Sequence, residues 1–542
     1  DTSDVSRWDA RFDITSQLNR FMQVKAGAEY INSDYNIFYG SWDPANPQQE
    51  NERYRWQRSP VQGALYAQTK LEFKGMVANL GLRADYFHAG GDWYDYNAFS
   101  TLFSASQGYD KLGDSSVVDL TPTKALFTLS PRLGVSFPVT EDSKFYFNYG
   151  HFRQMPSPYQ LFQIQYNPFT TQINSIGNPN IPLPKTVAYE IGFEQSFADL
   201  FLVHLAGFYN DLSEQGRGVT YVSIDGLVNY TRQEPLSYAD NRGFEVTIAK
   251  DRGDWVRGFL NYTYLSTKGG GFGFGTIYED LRRYREYATS PNSLSQGARV
   301  PQPFARMNLE LRLPNGFGPT VAGAHPLGDW RIALLGEWRS GAPSTWDGNN
   351  FSIEGAGNNP KIAYNTKWKD FWNFDLRLSK NFATSIGRAQ FYVDVTNVFN
   401  LRQMYYRRGS IFLGENDQRD YIRSLHLPSA DELFKGVENY TPGYDWVPGD
   451  DKPGDYRKPG AAFDPIYAVQ DVNSVTAPID DALYYDLKTR KYVMHASGSW
   501  VDADAGRVKQ VLDDRAYIDM PNGSTMAFLN PRDVFFGIRL SF

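Results

Sequence analysis

Three short stretches interleave cations with aromatic rings: Arg53-Tyr54-Arg55-Trp56-Gln57-Arg58, Arg282-Arg283-Tyr284-Arg285 and Tyr405-Tyr406-Arg407-Arg408. A guanidinium grips carboxylates and phosphates through paired hydrogen bonds, and a ring stacks on sugars or faces a cation. Such clusters suit sugars or anionic chelates; the plain alternative for each is loop packing and surface charge. The ligand-binding candidates are therefore Arg53, Tyr54, Arg55, Trp56, Arg58, Arg282, Arg283, Tyr284, Tyr405 and Arg407. Covalent chemistry has less support. There is no cysteine, and the six histidines include no pair at metal-ligand spacing on one segment. We find no G-x-S-x-G, Walker A or H-E-x-x-H string. No enzyme, no catalytic residue and no resident cofactor is expected. The glycine-rich run 269–275 follows a strand with no helix behind it, so a mobile loop is expected rather than a phosphate cradle. Gly449-Asp450-Asp451 and Asp480-Asp481 are candidate Ca²⁺ sites, but their spacing fits no known loop, and solvated acidic faces are expected.

The elements that must position these residues are strands. Apolar run lengths exclude a transmembrane helix, and the mean hydropathy is -0.49. The net charge of -7 argues against nucleic acid as a partner. Period-two alternation recurs along the chain. In 7–18, Trp8, Ala10, Phe12 and Ile14 share one face, and Arg7, Asp9, Arg11 and Asp13 the other. The same pattern marks 21–31, 61–73, 76–87, 129–137, 144–152, 186–195, 201–210, 242–250, 255–264, 305–313, 330–339, 371–380, 388–399 and 533–542. The phase of 201–210 is ambiguous, because both its faces are apolar. Most segments have roughly the ten residues that a tilted strand needs to cross a bilayer.

Short and long connections alternate along this series, as in barrels with short periplasmic turns and long extracellular loops. A girdle follows: Trp8, Tyr30, Tyr86, Tyr149, Tyr189, Tyr209, Tyr264, Trp338 and Trp372 fall on apolar faces near the long-loop ends. A ring with a polar tip suits the hydrocarbon–water boundary there. The fold class expected is all-β, a transmembrane antiparallel barrel. Barrel strands and their loops fill 1–399, a large extracellular cap 400–532, and a last strand 533–542. Within the cap, Ser429-Ala430-Asp431-Glu432 reads as a helix start, and Ala482-Leu483-Tyr484-Tyr485-Asp486-Leu487 with Lys491-Tyr492-Val493-Met494 as a hairpin.

Several strings resemble the barrel of TonB-dependent outer-membrane receptors. They are Leu129-Ser130-Pro131-Arg132-Leu133-Gly134 with Phe145-Tyr146-Phe147-Asn148-Tyr149-Gly150, Gly177-Asn178-Pro179-Asn180, Asn241-Arg242-Gly243-Phe244-Glu245 and Asp394-Val395-Thr396-Asn397-Val398-Phe399-Asn400. The final Phe536, Gly537, Ile538, Leu540 and Phe542 are similar to the family's C-terminal assembly signal. The subgroup carrying a carboxypeptidase-regulatory-like N-terminal domain is the most similar. The resemblance implies that about 15 of an expected 22 strands are in this chain. It implies a bacterial outer-membrane location, with loops outside, in contact with the lipid bilayer and lipopolysaccharide. It also implies an N-terminal plug and missing barrel strands from the same gene or a second chain, the TonB complex, and a surface lipoprotein as a further partner. The odd count predicts a C-terminal part of a longer barrel.

Uptake of a bulky nutrient (siderophore, oligosaccharide, peptide or vitamin) is the function this implies. The alternative is a plug-less surface-binding or secretion-associated barrel. A soluble propeller enzyme or lectin ranks last, because it needs four strands per repeat of about 40–50 residues.

Overall fold

The computed structural model describes residues 3–40, 53–104, 108–112, 114–167, 170–290, 294–296, 299–321, 323, 325–346, 351–353, 363–384, 387–401, 421–422, 425–428, 447–455, 464–515 and 531–541. All fifteen expected strands form. They are β1 (Asp4–Asn19), β2 (Met22–Gly40), β3 (Val61–Phe73), β4 (Met76–His88), β5 (Ala125–Thr140), β6 (Ser143–Arg153), β7 (Lys185–Phe197), β8 (Phe201–Val222), β9 (Asn229–Lys250), β10 (Val256–Phe274), β11 (Phe304–Arg312), β12 (Trp330–Arg339), β13 (Phe371–Thr384), β14 (Gly387–Thr396) and β15 (Asp533–Ser541). They belong to one large, mainly antiparallel sheet. No described helix is long and apolar enough to cross a membrane.

The chain divides into two compact units, Asp1–Thr247 with Thr263–Pro301, and Ile248–Tyr262 with Gln302–Phe542. In the first, β1 to β8 pair in sequence order, each antiparallel to the next. In the second, β11 to β15 do the same. Alternation decides the faces. Trp8, Phe12 and Ile14 on β1, Leu80 and Leu82 on β4, and Phe127 and Leu129 on β5 are all exposed. A water-soluble sheet would bury such rows; here they form the surface, as a strand facing lipid requires. The ambiguous phase of β8 is settled by register, because Tyr209 pairs with Tyr189 and stacks on it at 5.8 Å.

The opposite face is tied by polar pairs. Arg83 reaches Glu29 at 2.9 Å and Asp85 at 2.6 Å, and Arg377 holds Asp394 through two 2.6 Å bonds. Asp375 accepts from the Asn397 backbone at 2.9 Å, and Glu190 from the Tyr146 hydroxyl at 2.8 Å. This face also shows a repeated device. Tyr66 pairs with Gly27, Tyr146 with Gly192 and Tyr392 with Gly537 across neighbouring strands. In each pair the ring lies where a β-carbon on the glycine would be.

The buried core lies in the long connections and the strand ends that meet them. Phe87, Trp93, Leu102, Phe103, Leu161, Phe162, Ile173, Ile176, Val219 and Tyr230 form one cluster in the first unit. The extra strands Asp92–Asp95 and Asp119–Pro122 pair with each other as a separate two-stranded sheet, so they leave the main strand count unchanged.

In the second unit a four-stranded sheet holds Leu483–Asp486 and Lys491–Ala496 as an antiparallel pair, the expected hairpin. A helix the sequence reading missed, Ala505–Arg515, carries Val508, Val511 and Leu512 into the same cluster as Leu483 and Tyr485. The helix start expected at Ser429 lies outside the described residues.

Candidate functional site

The first cation–ring cluster falls on the strand Arg53–Arg58, which pairs with the far end of β2. Alternation splits its members. Arg55 points to solvent, while Trp56 and Arg58 turn into the loops. The Trp56 ring packs against Tyr35 at 5.9 Å and Phe162 at 5.4 Å. Its indole nitrogen is buried with no hydrogen-bond partner among the described residues. Arg58 lies over the Trp93 ring at 5.5 Å, and Trp93 packs on Tyr94 at 5.2 Å. Tyr109 stacks on Tyr166 at 4.0 Å and feels the Arg55 charge. Three connections thus bring one set of rings and cations together. Burial pushes the Tyr94 and Tyr109 phenols above their usual range, against the opposing pull of Arg58 and Arg55 respectively. Both hydroxyls therefore stay protonated, as donors, at neutral pH.

Beneath this patch lies a polar knot absent from the sequence reading. Arg232 donates to Glu234 at 2.5 Å and to the Tyr221 hydroxyl at 2.9 Å, and Tyr221 donates to Glu234 at 3.0 Å. Burial pushes the Tyr96 and Tyr221 phenols up to about 12. The string Gly177-Asn178-Pro179-Asn180 acts as a staple. Asn178 donates to the Gln233 carbonyl at 3.2 Å, and Asn180 accepts from the Lys124 backbone at 2.8 Å. One turn thereby ties β9 to the connection before β5. Asn180→Ala should remove the acceptor for Lys124, at a cost of about 1 kcal/mol. We expect limited proteolysis to cut the 89–124 connection several-fold faster in that variant; unchanged cutting would count against the staple.

The second cluster is built differently. Arg282, Arg283 and Tyr284 sit on the helix Leu281–Thr289, capped by Asp280, which accepts from the Arg282 backbone at 2.9 Å. Tyr284 and Tyr287 pack edge-on against Phe274, at 5.3 and 5.8 Å, while Arg282 and Arg283 stay exposed. The tyrosine thus serves packing, and the arginines face outward. The glycine run expected as a mobile loop is strand up to Phe274. Its glycines have a partner no sequence pattern revealed: the Arg217 guanidinium occupies the space that side chains on Gly271 and Gly275 would take. For Arg53 and Tyr54 only the backbone is described, and Tyr405, Arg407 and Phe542 lie outside the described residues.

The girdle candidates lie in register. Tyr149, Tyr189 and Tyr209 form one row across β6, β7 and β8, with ring contacts of 5.1 and 5.8 Å. Tyr30 and Tyr86 flank Gly63 across β2, β3 and β4. Trp338 faces Trp372 at 5.9 Å. Tyr264 stacks on Phe244 at 5.6 Å, and Trp8 is exposed on β1. On β15, Phe536, Ile538 and Leu540 share one exposed face, and Gly537 turns to the other, under the Tyr392 ring.

Among the described residues no group of three or more His, Asp or Glu side chains could hold a metal. Asp480 instead pairs with His495 at 2.5 Å. Asp451 is buried rather than solvated, with its carboxylate accepting from the His426 backbone at 2.6 Å. Asp450 is exposed, as expected, but Asp451 differs from the solvated acidic face expected there, because the segment 447–455 folds back onto Lys369 and Tyr421.

A family model described as TonB dependent receptor-like, beta-barrel matches residues 1–401. No curated protein matches. Among solved structures, the FrpB iron transporter from Neisseria meningitidis (F3-3 variant) is 14% identical at a TM-score of 0.45, covering 74% of this chain and 51% of that one. A ferric enterobactin receptor mutant from Pseudomonas aeruginosa, in complex with enterobactin, is 15% identical at 0.46, with 74% and 50% covered. The hemophore receptor HasR from Serratia marcescens, a double mutant in complex with its hemophore HasA and heme, is 15% identical at 0.42, with 75% and 64% covered. The chain thus spans about half the length of the first two. These likenesses are remote, and the weight falls on the family model, whose members are outer-membrane proteins that work in transport. With that match running through β1 to β14, the chain belongs to the TonB-dependent receptor β-barrel family.

Proposed function

We propose that this chain supplies the wall and capture surface of a receptor that imports a bulky nutrient across the outer membrane, driven through TonB. The observation that carries the reading is the patch of Arg55, Trp56, Arg58, Tyr94, Tyr109 and Tyr166, seated on the buried Trp93 and mounted on a two-faced sheet of this family. Rings bury ligand surface, and guanidinium groups neutralise a carboxylate or chelate charge. The exposed apolar rows meet lipid, and the tyrosine and tryptophan rows mark its boundary. The long connections then face the cell exterior, and the paired charges of the opposite face line the lumen around a plug. That plug and further strands are partners in the same gene or a second chain. Siderophores, oligosaccharides, peptides and vitamins are the cargo classes.

The test is uptake by cells lacking the gene and complemented with either form, across labelled members of those four classes. One class should depend on the gene and on an intact proton gradient. Arg55→Ala with Arg58→Ala should weaken surface capture of that class about 10- to 100-fold, from two contacts of about 0.7–1.4 kcal/mol each. Uptake that persists without the gradient, or capture unchanged in the double variant, would overturn the reading.

A further inference from the structure

On the apolar face of the first unit lies a cavity of about 880 Å³ whose chemistry is mixed. Its floor is Ile191, Gly207 and Phe244, flanked by the girdle residues Tyr189, Tyr209 and Tyr264. Its rim is charged. Arg242 follows the alternation of Phe244 onto the same exposed face, with its side chain 53% exposed. Its guanidinium meets Asp240 at 3.2 Å. Arg299 grips the same carboxylate at 3.3 and 2.6 Å. Lys268 acts on Asp240 as a third cation, and Asp211 adds a second carboxylate beside Tyr209. Arg242, Arg299 and Lys268 therefore meet Asp240 and Asp211 at the rim, the two guanidinium groups share a single acceptor, and Glu190, which also lines the cavity, is held by the Tyr146 hydroxyl. Ser266, two residues beyond Tyr264, lines the cavity at 5% exposure, and its hydroxyl has no hydrogen-bond partner among the described residues.

A cation on a membrane-facing row is costly unless it sits at the boundary beside an anion. An apolar floor below a cationic rim is complementary to an anionic amphiphile, and a buried hydroxyl without a partner calls for an acceptor. We propose that this cavity binds one anionic lipid. Its headgroup phosphate rests on Arg242, Arg299 and Ser266, and an acyl chain runs over Ile191, Gly207 and Phe244. The proposal rests on the membrane-barrel reading above, with the rim at the outer leaflet.

The test is native mass spectrometry of the whole receptor, released from non-ionic detergent after incubation with diphosphoryl lipid A. Arg242→Gln should lower lipid retention at least tenfold. Gly207→Leu keeps every charge and fills the floor beside Ile191, and it should lower retention similarly. Millimolar inorganic phosphate should not displace the lipid, and a dephosphorylated counterpart should not be retained. Equal retention by both variants, displacement by inorganic phosphate, or equal retention of the dephosphorylated lipid would each overturn the proposal. Heat-modifiable gel migration of each sample reads the barrel separately. If it persists while retention is unmoved, only the lipid site fails; if it is lost even in the unaltered protein, the barrel reading fails first.

Discussion

Gly192→Leu is expected to strip most of the protein of its heat-modifiable, folded form. The Tyr146 ring lies across Gly192, in the space a side chain would need. The same hydroxyl donates to Glu190 at 2.8 Å and lies 2.7 Å from His204 Nε2. Leucine at 192 must expel the ring and break both contacts. Overpacking costs about 1–3 kcal/mol, and each lost hydrogen bond about 1 kcal/mol, so a loss of about 3–5 kcal/mol is expected. Tyr146→Phe keeps the ring and should cost only about 1–2 kcal/mol. Adding Tyr146→Ala to Gly192→Leu should recover part of the loss, because neighbouring changes are not additive. Urea unfolding of the refolded protein measures all three. A Gly192→Leu midpoint equal to that of the unaltered protein would show that the ring has another place to go.

The second large effect concerns pH. Burial pushes the Asp451 carboxyl up to about 7, and the neighbouring Asp455 and Asp450 carboxylates add to the shift. The His426 N–H and the Lys369 charge oppose it. The sign follows from linkage. An acid whose pKa rises on folding binds more protons in the folded state between its two pKa values. Stability is therefore highest below about pH 4, falls between about 4 and 7, and levels off above, where the folded state holds the buried charge. Three units correspond to about 4 kcal/mol. Asp451→Asn keeps an acceptor for the His426 backbone and carries no charge. It should match the unaltered protein near pH 4 and surpass it by up to about 4 kcal/mol at pH 8. Hydrogen exchange of amides 447–455, compared between the two proteins at each pH, cancels the intrinsic pH dependence. A gap that does not widen from pH 5 to pH 8 would rule this out.

The strands were legible because a sheet between lipid and a polar interior repeats one local rule at every second residue. Trp8, Phe12 and Ile14 declare their face with no knowledge of the rest of the chain. Only β8 was ambiguous, and its phase came from a non-local fact, the pairing of Tyr189 with Tyr209. The candidate site was half legible. Arg55, Trp56 and Arg58 could be named from composition, but their partners Trp93, Tyr109 and Tyr166 come from other connections with no shared spacing. The glycines at 271 and 275 carried a visible signal with the wrong reading, because Arg217, their partner, lies some fifty residues earlier. Asn178 and Asn180 stood in a family string, yet their work as a staple shows only once Gln233 and Lys124 are in place.

The length of β8 bears on how the surface is met from outside. It runs 22 residues, as does β9. At about 3.3 Å per residue that is about 70 Å of continuous strand, or about 50 Å of height at a tilt of about 45°. A hydrocarbon layer takes about 30 Å of it. The remaining height is about 20 Å, and at its end Thr220, Tyr221 and Val222 pair with the short strand Thr276–Tyr278. In the orientation proposed above, an antibody, a phage or a neighbouring cell would meet this raised rim first, with epitopes held above the lipid.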